Sequence, residues 1–296
     1  METWFILWGN IGGGLSVKVK SRRKMKNYNE DAIVEYYKSR PMSLLTLSKE
    51  FNLCLPTVTK VLKNNNCKIY SKNEIFNPNM DENYFENIDN PEKAYFLGII
   101  LADGNIHKPK EGGQYMVSLS LNDYDGYILE KLKSEIKTDR AIIKSLRNKN
   151  QNNTLSVKSD KMASDLISYG VLERKSYFST LPKLKNDSLM SHMFRGILDG
   201  DGSIMSNLNL KTNKHKHGIA FCGCKDLIQE IKDYLNSKLN LTIKGTDERQ
   251  STCHIVTWCK IDDMFRLGNY LYQDSEGLRI ERKYEKYMDF KKFYKL

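Results

Sequence analysis

The sequence predicts an α+β fold in which two related halves follow a small N-terminal helical domain. The first observation is a pair of similar segments, FLGIILADG at residues 96–104 and FRGILDGDG at residues 194–202. The second is that strand-like and helix-like patterns follow each segment in the same order. The third is a run of three short helix-forming stretches between residues 29 and 63, which belongs to neither repeat.

Each motif segment is predicted to be a helix with one face of small residues. Gly98 and Ala102 are four positions apart, as are Gly196 and Gly200, so each pair shares a helix face. A glycine inside a helix costs about 1 kcal/mol relative to alanine. Small residues at this spacing allow two helix backbones to approach closely. We therefore expect the two segments to pack against each other through these four residues.

Each motif ends in an Asp-Gly pair. Asp103 and Asp201 fall in the last helical turn, where the negative end of the helix dipole opposes a carboxylate. Gly104 and Gly202 are expected to end the helices in the left-handed conformation. Because a carboxylate is placed against the dipole twice, we expect a cation beside each helix end.

The sequence that flanks the motifs is also duplicated, since Asp201 follows Asp103 by 98 residues. Each half continues with a strand, a helix, two further strands and a closing helix. The corresponding segments are 115–121 and 218–222, 127–136 and 227–235, 140–147 and 241–243, 154–157 and 254–258, and the segments to which the closing helices lead, 172–175 and 280–283. A repeat of this length is too long for a solenoid and indicates duplication of one α/β unit, joined near Pro182.

The region before the repeat divides into a tail, a helical domain and a linker. Residues 1–25 are expected to form a disordered or extended basic tail, and Met25 is a candidate functional start. Within residues 26–72, one helix is capped by Asn29 and ends before Pro41, a second covers 43–51, and a third begins at Pro56. Residues 64–93 are interpreted as a linker with a short amphipathic piece near Tyr84.

The three short helices resemble a helix-turn-helix, with two helices, a tight turn and a basic third helix. On this interpretation, four residues of the third helix face DNA: Thr57, Thr59, Lys60 and Lys63. A helical accessory domain without a DNA contact is the alternative.

Composition favours a polyanionic partner. Lys and Arg total 47 against 36 Asp and Glu, so the net charge is +11. No run reaches the ~18–20 apolar residues that a membrane helix needs, so no membrane partner is expected. Six cysteines without regular spacing indicate reduced thiols, as in cytoplasmic proteins.

The paired motifs resemble those of the LAGLIDADG homing endonucleases. The resemblance implies two pseudosymmetric αββαββα halves, at 73–186 and 187–296, that form a saddle of twisted antiparallel sheets in a single-chain monomer. It gives Asp103 and Asp201 catalytic and metal-binding roles, because the acids at these motif positions reach the two scissile phosphates. A ligand role for the backbone at Ala102 is left open. The approach to the first motif, residues 84–98, is similar to that of bacterial and phage members, which places the protein in a nucleoid or in the cytosol of a phage-infected cell.

Mg²⁺ is the expected cofactor, and Mn²⁺ or Ca²⁺ can replace it for binding. Hard divalent cations are held by carboxylates and by phosphate oxygens of the substrate. One aspartate in each half is too few for a cation site. Two carboxylates brought together, and completed by DNA phosphates and water, are sufficient, so we expect weak metal binding without DNA.

The family also places a basic residue near each scissile phosphate. Lys158, after the predicted strand at 154–157, suits this role in the first half and would stabilise transition-state charge. In the second half, ungapped alignment puts Cys259 at that position and Lys260 beside it. Lys260 is therefore the candidate there, and the second basic residue is left open.

Further DNA contacts are expected from the sheets and from one loop. The candidates are Ser118, Ser120, Lys144, Arg147, Lys211, Lys214 and Lys216. The tract at residues 211–217 is expected at a hairpin tip along the DNA backbone, and a solvated loop is the alternative.

Two further sets of possible metal ligands are a third aspartate of the motifs and four of the cysteines. Asp199 lies close to Asp201, but Leu101 holds the equivalent place in the first motif, so Asp199 is interpreted as a polar contact between the helices. Four cysteines (Cys222, Cys224, Cys253 and Cys259) lack the usual spacing of zinc ligands, so a zinc site is not expected.

The sequence therefore predicts a homing endonuclease that makes a sequence-specific, Mg²⁺-dependent double-strand break in a long DNA site. Its gene would belong to a mobile element or intron, and the helix-turn-helix would extend the DNA footprint. The alternatives are an RNA maturase that assists intron splicing, with intron RNA as its partner, and a catalytically inactive DNA-binding regulator. The presence of both Asp103 and Asp201 argues against the regulator.

Overall fold

The structure is a computed structural model that describes residues 28–39, 42–70, 80–108, 113–147, 150–172, 179–209, 214–242, 247–250 and 253–296. The predicted tail at residues 1–25, the helix break at Pro41 and the DNA candidate Lys211 lie outside these residues. The chain divides into two compact units, Met1–Tyr70 and Ser71–Leu296. Within the described ranges, no helix has the length and apolar character needed to cross a membrane.

In its described residues, 28–39 and 42–70, the first unit contains three helices, α1 (Glu30–Ser39), α2 (Leu44–Glu50) and α3 (Leu55–Asn64). Asn29 caps α1, because its Oδ1 accepts a hydrogen bond from the Ala32 amide at 3.1 Å, and Ser43 caps α2 in the same way. Asn52 turns the chain between α2 and α3 with a φ of 47°. The buried apolar side chains are Ile33, Tyr37, Met42, Leu47, Val58, Val61 and Leu62.

The second unit contains the same order of elements twice. The first copy is α4 (Pro91–Asp103), β1 (Gly104–His107), β2 (Met116–Asn122), α5 (Gly126–Glu135), β3 (Ile143–Arg147), β4 (Asn150–Lys158) and α6 (Asp160–Ser168). The second copy is α7 (Met190–Gly200), β5 (Ser203–Asn209), β6 (Lys214–Gly223), α8 (Lys225–Leu239), β7 (Asp247–Gln250), β8 (Cys253–Trp258) and α9 (Ile261–Tyr272), and α10 (Glu281–Tyr294) follows it. The predicted α+β class with two αββαββα halves is confirmed.

Among the residues that the structure describes, each half contains one four-stranded antiparallel sheet, ordered β1-β2-β4-β3 in the first half and β5-β6-β8-β7 in the second. In β2, the buried side chains Val117, Leu119 and Leu121 alternate with Ser118 and Ser120. One face of the sheet therefore packs on the core, and we call the other the outward face.

The motif helix α4 runs through the core of the unit. Asn90 caps it, accepting a hydrogen bond from the Lys93 amide at 2.9 Å, and Pro91 fills the first helical position. Every residue from Ala94 to Ala102 is buried, so the helix is apolar on all sides and ends at the exposed Asp103.

Several predicted boundaries are wrong. The expected linker contributes to the main core, because Tyr84, Phe85 and Ile88 are buried there. Residues 241 and 242 of the strand expected at 241–243 are not in a strand, and residue 243 lies outside the described residues. The third strand of the second half is β7 at Asp247–Gln250, and residues 214–217 belong to β6 rather than to a hairpin tip. The chain also enters β1 directly after α4 and enters β5 two residues after α7, and neither strand is predicted from the sequence.

The segment between α9 and α10 joins the second half to the first. The Arg282 guanidinium contacts the Asp125 carboxylate, with Nη2 2.8 Å from Oδ2. The Tyr127 hydroxyl donates to the Arg279 carbonyl at 3.0 Å and accepts from the Glu281 amide at 2.8 Å. These contacts connect the beginning of α5 to the beginning of α10.

Candidate active site

The two motif helices touch backbone to backbone at two glycines. A Cβ placed on Gly98 would meet the Met193 carbonyl oxygen and would lie 3.0 Å from the Ile197 amide nitrogen. A Cβ placed on Gly196 would meet the Tyr95 carbonyl oxygen and lie 2.7 Å from the Ile99 amide nitrogen. Any side chain at either position would separate the helices, so the contact requires glycine on both sides.

The same contact continues to the helix ends. A Cβ on Gly200 would meet the Ala102 methyl group and would lie 3.3 Å from Oδ2 of Asp103. The Asp103 carboxylate therefore lies against the residue that precedes Asp201. Both aspartates are exposed. The structure thus brings together the four small residues and places the two carboxylates at one end of the helix pair.

The glycines after the aspartates have a different role from the predicted one. Gly104 has a φ of −72°, and the left-handed glycines of the described chain are Gly170 and Gly277. The prediction of left-handed helix ends is wrong, because α4 leads directly into β1 and α7 reaches β5 after two residues. Glycine is needed for space: a Cβ on Gly104 would lie 2.6 Å from Ile100 Cγ2, and one on Gly202 would lie 2.7 Å from the Leu198 carbonyl oxygen.

Strand pairing identifies equivalent positions in the two halves. Val117 of β2 and Ile219 of β6 each lie opposite an isoleucine of the preceding strand. On their other side, Val117 lies opposite Val157 of β4, and Ile219 lies opposite Trp258 of β8. Val157 and Trp258 therefore hold the same place in the two sheets.

The next residue in each half is Lys158 or Cys259, so these two are equivalent. Lys158 is exposed and follows the outward-facing positions of β4. Burial raises the pKa of the Cys259 thiol, and the Lys216 ammonium opposes this rise. Lys260 is equivalent to Ser159, the N-cap of α6, and is itself the N-cap of α9. The second half thus carries a thiol where the first carries an ammonium group.

Solved structures share the fold of the second unit. The crystal structure of the LAGLIDADG homing endonuclease I-GzeII in complex with its DNA target matches with a TM-score of 0.50 and 16% identity, covering 70% of this chain and 90% of that chain. The chain has the LAGLIDADG homing endonuclease fold.

Other structures with the LAGLIDADG fold match less closely. I-SmaMI bound to an uncleaved DNA target in the presence of calcium ions has a TM-score of 0.45 and 15% identity, over 69% of this chain and 90% of that chain. I-LtrWI bound to target DNA has a TM-score of 0.44 and 14% identity, over the same shares. No protein-family model matches the sequence, and no curated protein matches it.

Asp199 lies inside the helix pair and not at its exposed end. Only 1% of the residue is exposed, and its Oδ2 accepts hydrogen bonds from the Tyr95 hydroxyl at 3.0 Å and the Ile280 amide at 2.8 Å. Burial raises the pKa of Asp199 to about 6, against the opposing effect of the Lys283 ammonium. This environment makes Asp199 a polar contact between the two motif helices.

Two more polar residues of α7 are buried beside it. The Arg195 guanidinium is fully buried and donates to the Leu278 carbonyl at 2.7 Å and the Leu271 carbonyl at 2.8 Å. Its Nη2 lies 2.8 Å from Nδ1 of His192. Burial, together with the Arg195 charge, lowers the pKa of His192 to about 4, so the ring is neutral and accepts this hydrogen bond.

Lys283 of α10 lies beside these three buried residues of α7, and we call the four residues the polar layer: His192, Arg195, Asp199 and Lys283. Burial lowers the pKa of Lys283 to about 8, and the carboxylates of Asp199 and Asp103 oppose this change. Sequence analysis missed Lys283 and Arg195. The one available signal is the repeat of the basic segment at residues 172–175 by the segment at 280–283, which follows a closing helix and begins α10.

The residues of the two sheets that were predicted to contact DNA do not all lie on the outward faces. Ser118 and Ser120 lie on the outward face of β2, and the exposed Lys216 lies opposite Asn207 on the outward face of the second sheet. Lys144 lies on the core side of β3, opposite the buried Asn153, and its ammonium is 3.2 Å from the Asp123 carboxylate. Of the remaining candidates, the backbone of Arg147 ends β3 and that of Lys214 begins β6.

The helical unit presents its four candidates on α3. Lys60 and Lys63 are exposed, on the side away from the buried Val58, Val61 and Leu62. The Thr57 hydroxyl lies 2.9 Å from Cys54 Sγ, and the Thr59 hydroxyl donates to the Leu55 carbonyl at 2.8 Å.

The cysteines and the aspartates offer different donor sets for a metal. Cys222 and Cys253 lie with their sulfur atoms 3.0 Å apart, but Cys224 is buried against Ser179. Among the described residues, no group of three or more His, Cys, Asp and Glu side chains is arranged to hold a metal ion. The exposed carboxylates of Asp103 and Asp201 are oxygen donors, which suit a hard divalent cation completed by other ligands.

Proposed function

We propose that the chain is a DNA endonuclease that makes a sequence-specific, metal-dependent double-strand break in a long DNA site. The observation that carries the proposal is the closeness of the Asp103 carboxylate to Gly200 of the other motif helix. A Cβ atom placed on Gly200 would lie 3.3 Å from Oδ2 of Asp103. The exposed carboxylate of each half thus lies at the end of one shared helix contact. A substrate with two scissile phosphates, one on each strand, meets one aspartate at each.

Asp103 and Asp201 would hold the divalent cation, with DNA phosphate oxygens and water completing its ligands. Mg²⁺ is the proposed cofactor, and Mn²⁺ or Ca²⁺ would support binding. The bound cation supplies charge neutralisation at the phosphate and a more acidic water.

The protein groups act by orientation and charge. Each aspartate orients the water that attacks the phosphate of its own strand. In the first half, the Lys158 ammonium stabilises the additional negative charge of the transition state. In the second half, Lys260 is the candidate for this role, although it occupies a helix cap and Cys259 occupies the position of Lys158.

Recognition would come from the outward faces of the two sheets and from the helical unit. Ser118, Ser120 and Lys216 offer hydrogen bonds to base edges or phosphates from the sheets. Lys60 and Lys63 of α3 would extend the footprint as part of a helix-turn-helix. The net charge of +11 supports this partner, because neutralising phosphates releases bound counterions. We propose a monomer, in which both halves of the site come from one chain.

The test is cleavage of a plasmid that carries the uninterrupted insertion locus of the gene. Mg²⁺ should give linear product, and EDTA should prevent it. Asp103→Asn and Asp201→Asn should retain DNA binding but lose at least about a hundredfold in double-strand cleavage. Asp262→Asn, at an exposed aspartate of α9, is the matched control and should cut normally. Undiminished cutting by either motif variant would refute the proposal.

The same protein preparation separates the alternatives. Binding to structured intron RNA in preference to duplex DNA would favour a maturase. Tight sequence-specific binding to the locus without any cutting, in Mg²⁺, Mn²⁺ or Ca²⁺, would favour an inactive regulator.

A further inference from the structure

The buried ammonium of Lys283 contacts the end of the second motif helix. Lys283 is 5% exposed, and its Nζ lies 2.7 Å from the carbonyl oxygens of both Leu198 and Asp199. The carbonyl oxygens of Gly200 and Gly202 lie at 3.3 Å and 2.8 Å. An ammonium group has three N–H donors, so all of them are directed at this one stretch of backbone.

This placement is unfavourable for Lys283 considered within its own helix. The residue lies in the first turn of α10, where the positive end of the helix dipole disfavours a cation. Burial of an ammonium group also costs free energy unless the charge is paired and hydrogen-bonded. What compensates is the negative end of α7 together with the Asp199 carboxylate. The buried position of Lys283 is therefore explained by its hydrogen bonds to the end of α7 and not by an interaction within α10.

The ammonium substitutes for the usual way of ending a helix. The last carbonyls of a helix have no partner within it, and a left-handed glycine often allows later amides to satisfy them. Gly202 does not adopt that conformation. Instead, Lys283 satisfies the carbonyls of Leu198, Asp199 and Gly200 and then reaches past Asp201 to Gly202.

Asp201 lies between the bound carbonyls of Gly200 and Gly202. The Gly200 carbonyl belongs to the peptide group directly before the Asp201 Cα atom, and the Gly202 carbonyl lies one peptide group beyond the residue on its other side. Hydrogen bonds to both restrain the backbone before and after Asp201, which limits the directions that its side chain can take. We propose that Lys283 is a positioning residue that fixes the backbone around Asp201 and so holds the Asp201 carboxylate at the helix end beside Asp103. The structural part of this inference stands alone, and its consequence for cleavage rests on the proposed function.

The first experiment measures the restraint without using cleavage. Amide hydrogen exchange is compared in the full chain for wild type, Lys283→Met and Lys286→Met, which removes an exposed lysine from the same helix. Lys283→Met should accelerate exchange at least tenfold at residues 200–204, with smaller changes in α4. Unchanged exchange at 200–204, or equal acceleration throughout the unit, would overturn the inference.

The second experiment uses duplex DNA from the insertion locus with each strand labelled separately. Lys283→Met should slow cutting of the strand served by Asp201 at least tenfold more than cutting of the other strand, so nicked product accumulates. Affinity for the same DNA in Ca²⁺ should stay within threefold of wild type, and Lys286→Met should behave as wild type. Equal slowing of both strands would mean that Lys283 contributes only to stability, and would overturn the inference.

Two further outcomes are distinguishable. If wild-type protein cuts neither strand, the proposed function fails while the exchange experiment still decides the role of Lys283. If Lys283→Met does not fold, Lys283→Gln is used, because it keeps two N–H donors without the charge. Failure of both variants to fold would assign Lys283 to stability alone and overturn the positioning role.

Discussion

The helices α4 and α7 have the same contact surface but are held in the protein by different means. At the crossing, Gly98 and Gly196 occupy equivalent positions and each faces a backbone carbonyl of the other helix. Away from the crossing, α4 buries only apolar residues apart from the Tyr95 hydroxyl. Helix α7 buries His192, Arg195 and Asp199.

The equivalent positions in α4 are Ala94, Leu97 and Leu101, each 98 residues earlier. The difference shows which part of a duplicated helix is constrained by the other copy. Positions at the contact are restricted to small residues because no space exists there. Positions outside the glycine crossing could change from apolar to polar, since the segment from Leu271 to Lys283 supplies partners for Arg195 and Asp199.

The largest predicted effect is at the shared contact. Gly196→Ala should lower the free energy of unfolding by about 3 kcal/mol or more, because the methyl group would overlap the Tyr95 carbonyl. Gly98→Ala should have a similar effect, since the contact is symmetric. Urea unfolding provides the measurement. Gly223→Ala is the control, because a Cβ there meets no atom closer than 3.4 Å. Equal stability of all three variants would show that the helices do not touch as described.

A smaller effect should distinguish the polar layer of α7 from the apolar α4. The pKa of His192 is about 4 in the folded protein and near 6.5 in the unfolded chain. Because the folded-state pKa is lowered, its contribution to stability is complete above pH 6.5 and is lost as the pH falls toward 4. The free energy of unfolding should therefore fall between pH 7 and pH 4.5 in both proteins, and the fall should be about 2 kcal/mol larger in wild type than in His192→Asn. The same pH dependence in both proteins would contradict the buried neutral histidine.

The smallest predicted effect concerns Lys158 of the first half and Cys259, which holds the equivalent position in the second. Lys158→Met should slow cutting of one strand by about ten- to thirtyfold, because a cation near the phosphate is lost. Cys259→Met, at the equivalent position, should change cutting of the other strand less than threefold. Strand-resolved cleavage measures both. Similar losses for the two variants would mean that Cys259 contributes to the second centre, despite the chemical difference.

Features that depend on local pattern could be predicted from the sequence. The motif helices, their small-residue contact and the aspartates at their ends follow from residues within about ten positions of one another. The strand alternation at 115–121 indicated β2 in the same way. These properties are repeated in the two halves, and the repetition strengthened each prediction.

Features that depend on distant partners could not be predicted in this way. Lys283 follows Asp201 by 82 residues, and no periodicity connects a lysine at the start of one helix with the carbonyls at the end of another. Arginine is usually a surface residue, and the burial of Arg195 depends on hydrogen bonds to the distant carbonyls of Leu271 and Leu278. The side of the sheet occupied by Lys144 likewise depends on its pairing with Asn153.

The ion pair between Arg282 and Asp125 limits how the two halves can be recombined. Asp125 precedes α5, and the residue in the corresponding place before α8 is Cys224. A protein assembled from two copies of the second half would therefore set Arg282 against a thiol and lose this link. Chimeric proteins made by exchanging halves should keep Asp125 in the first half together with residues 275–283 of the second.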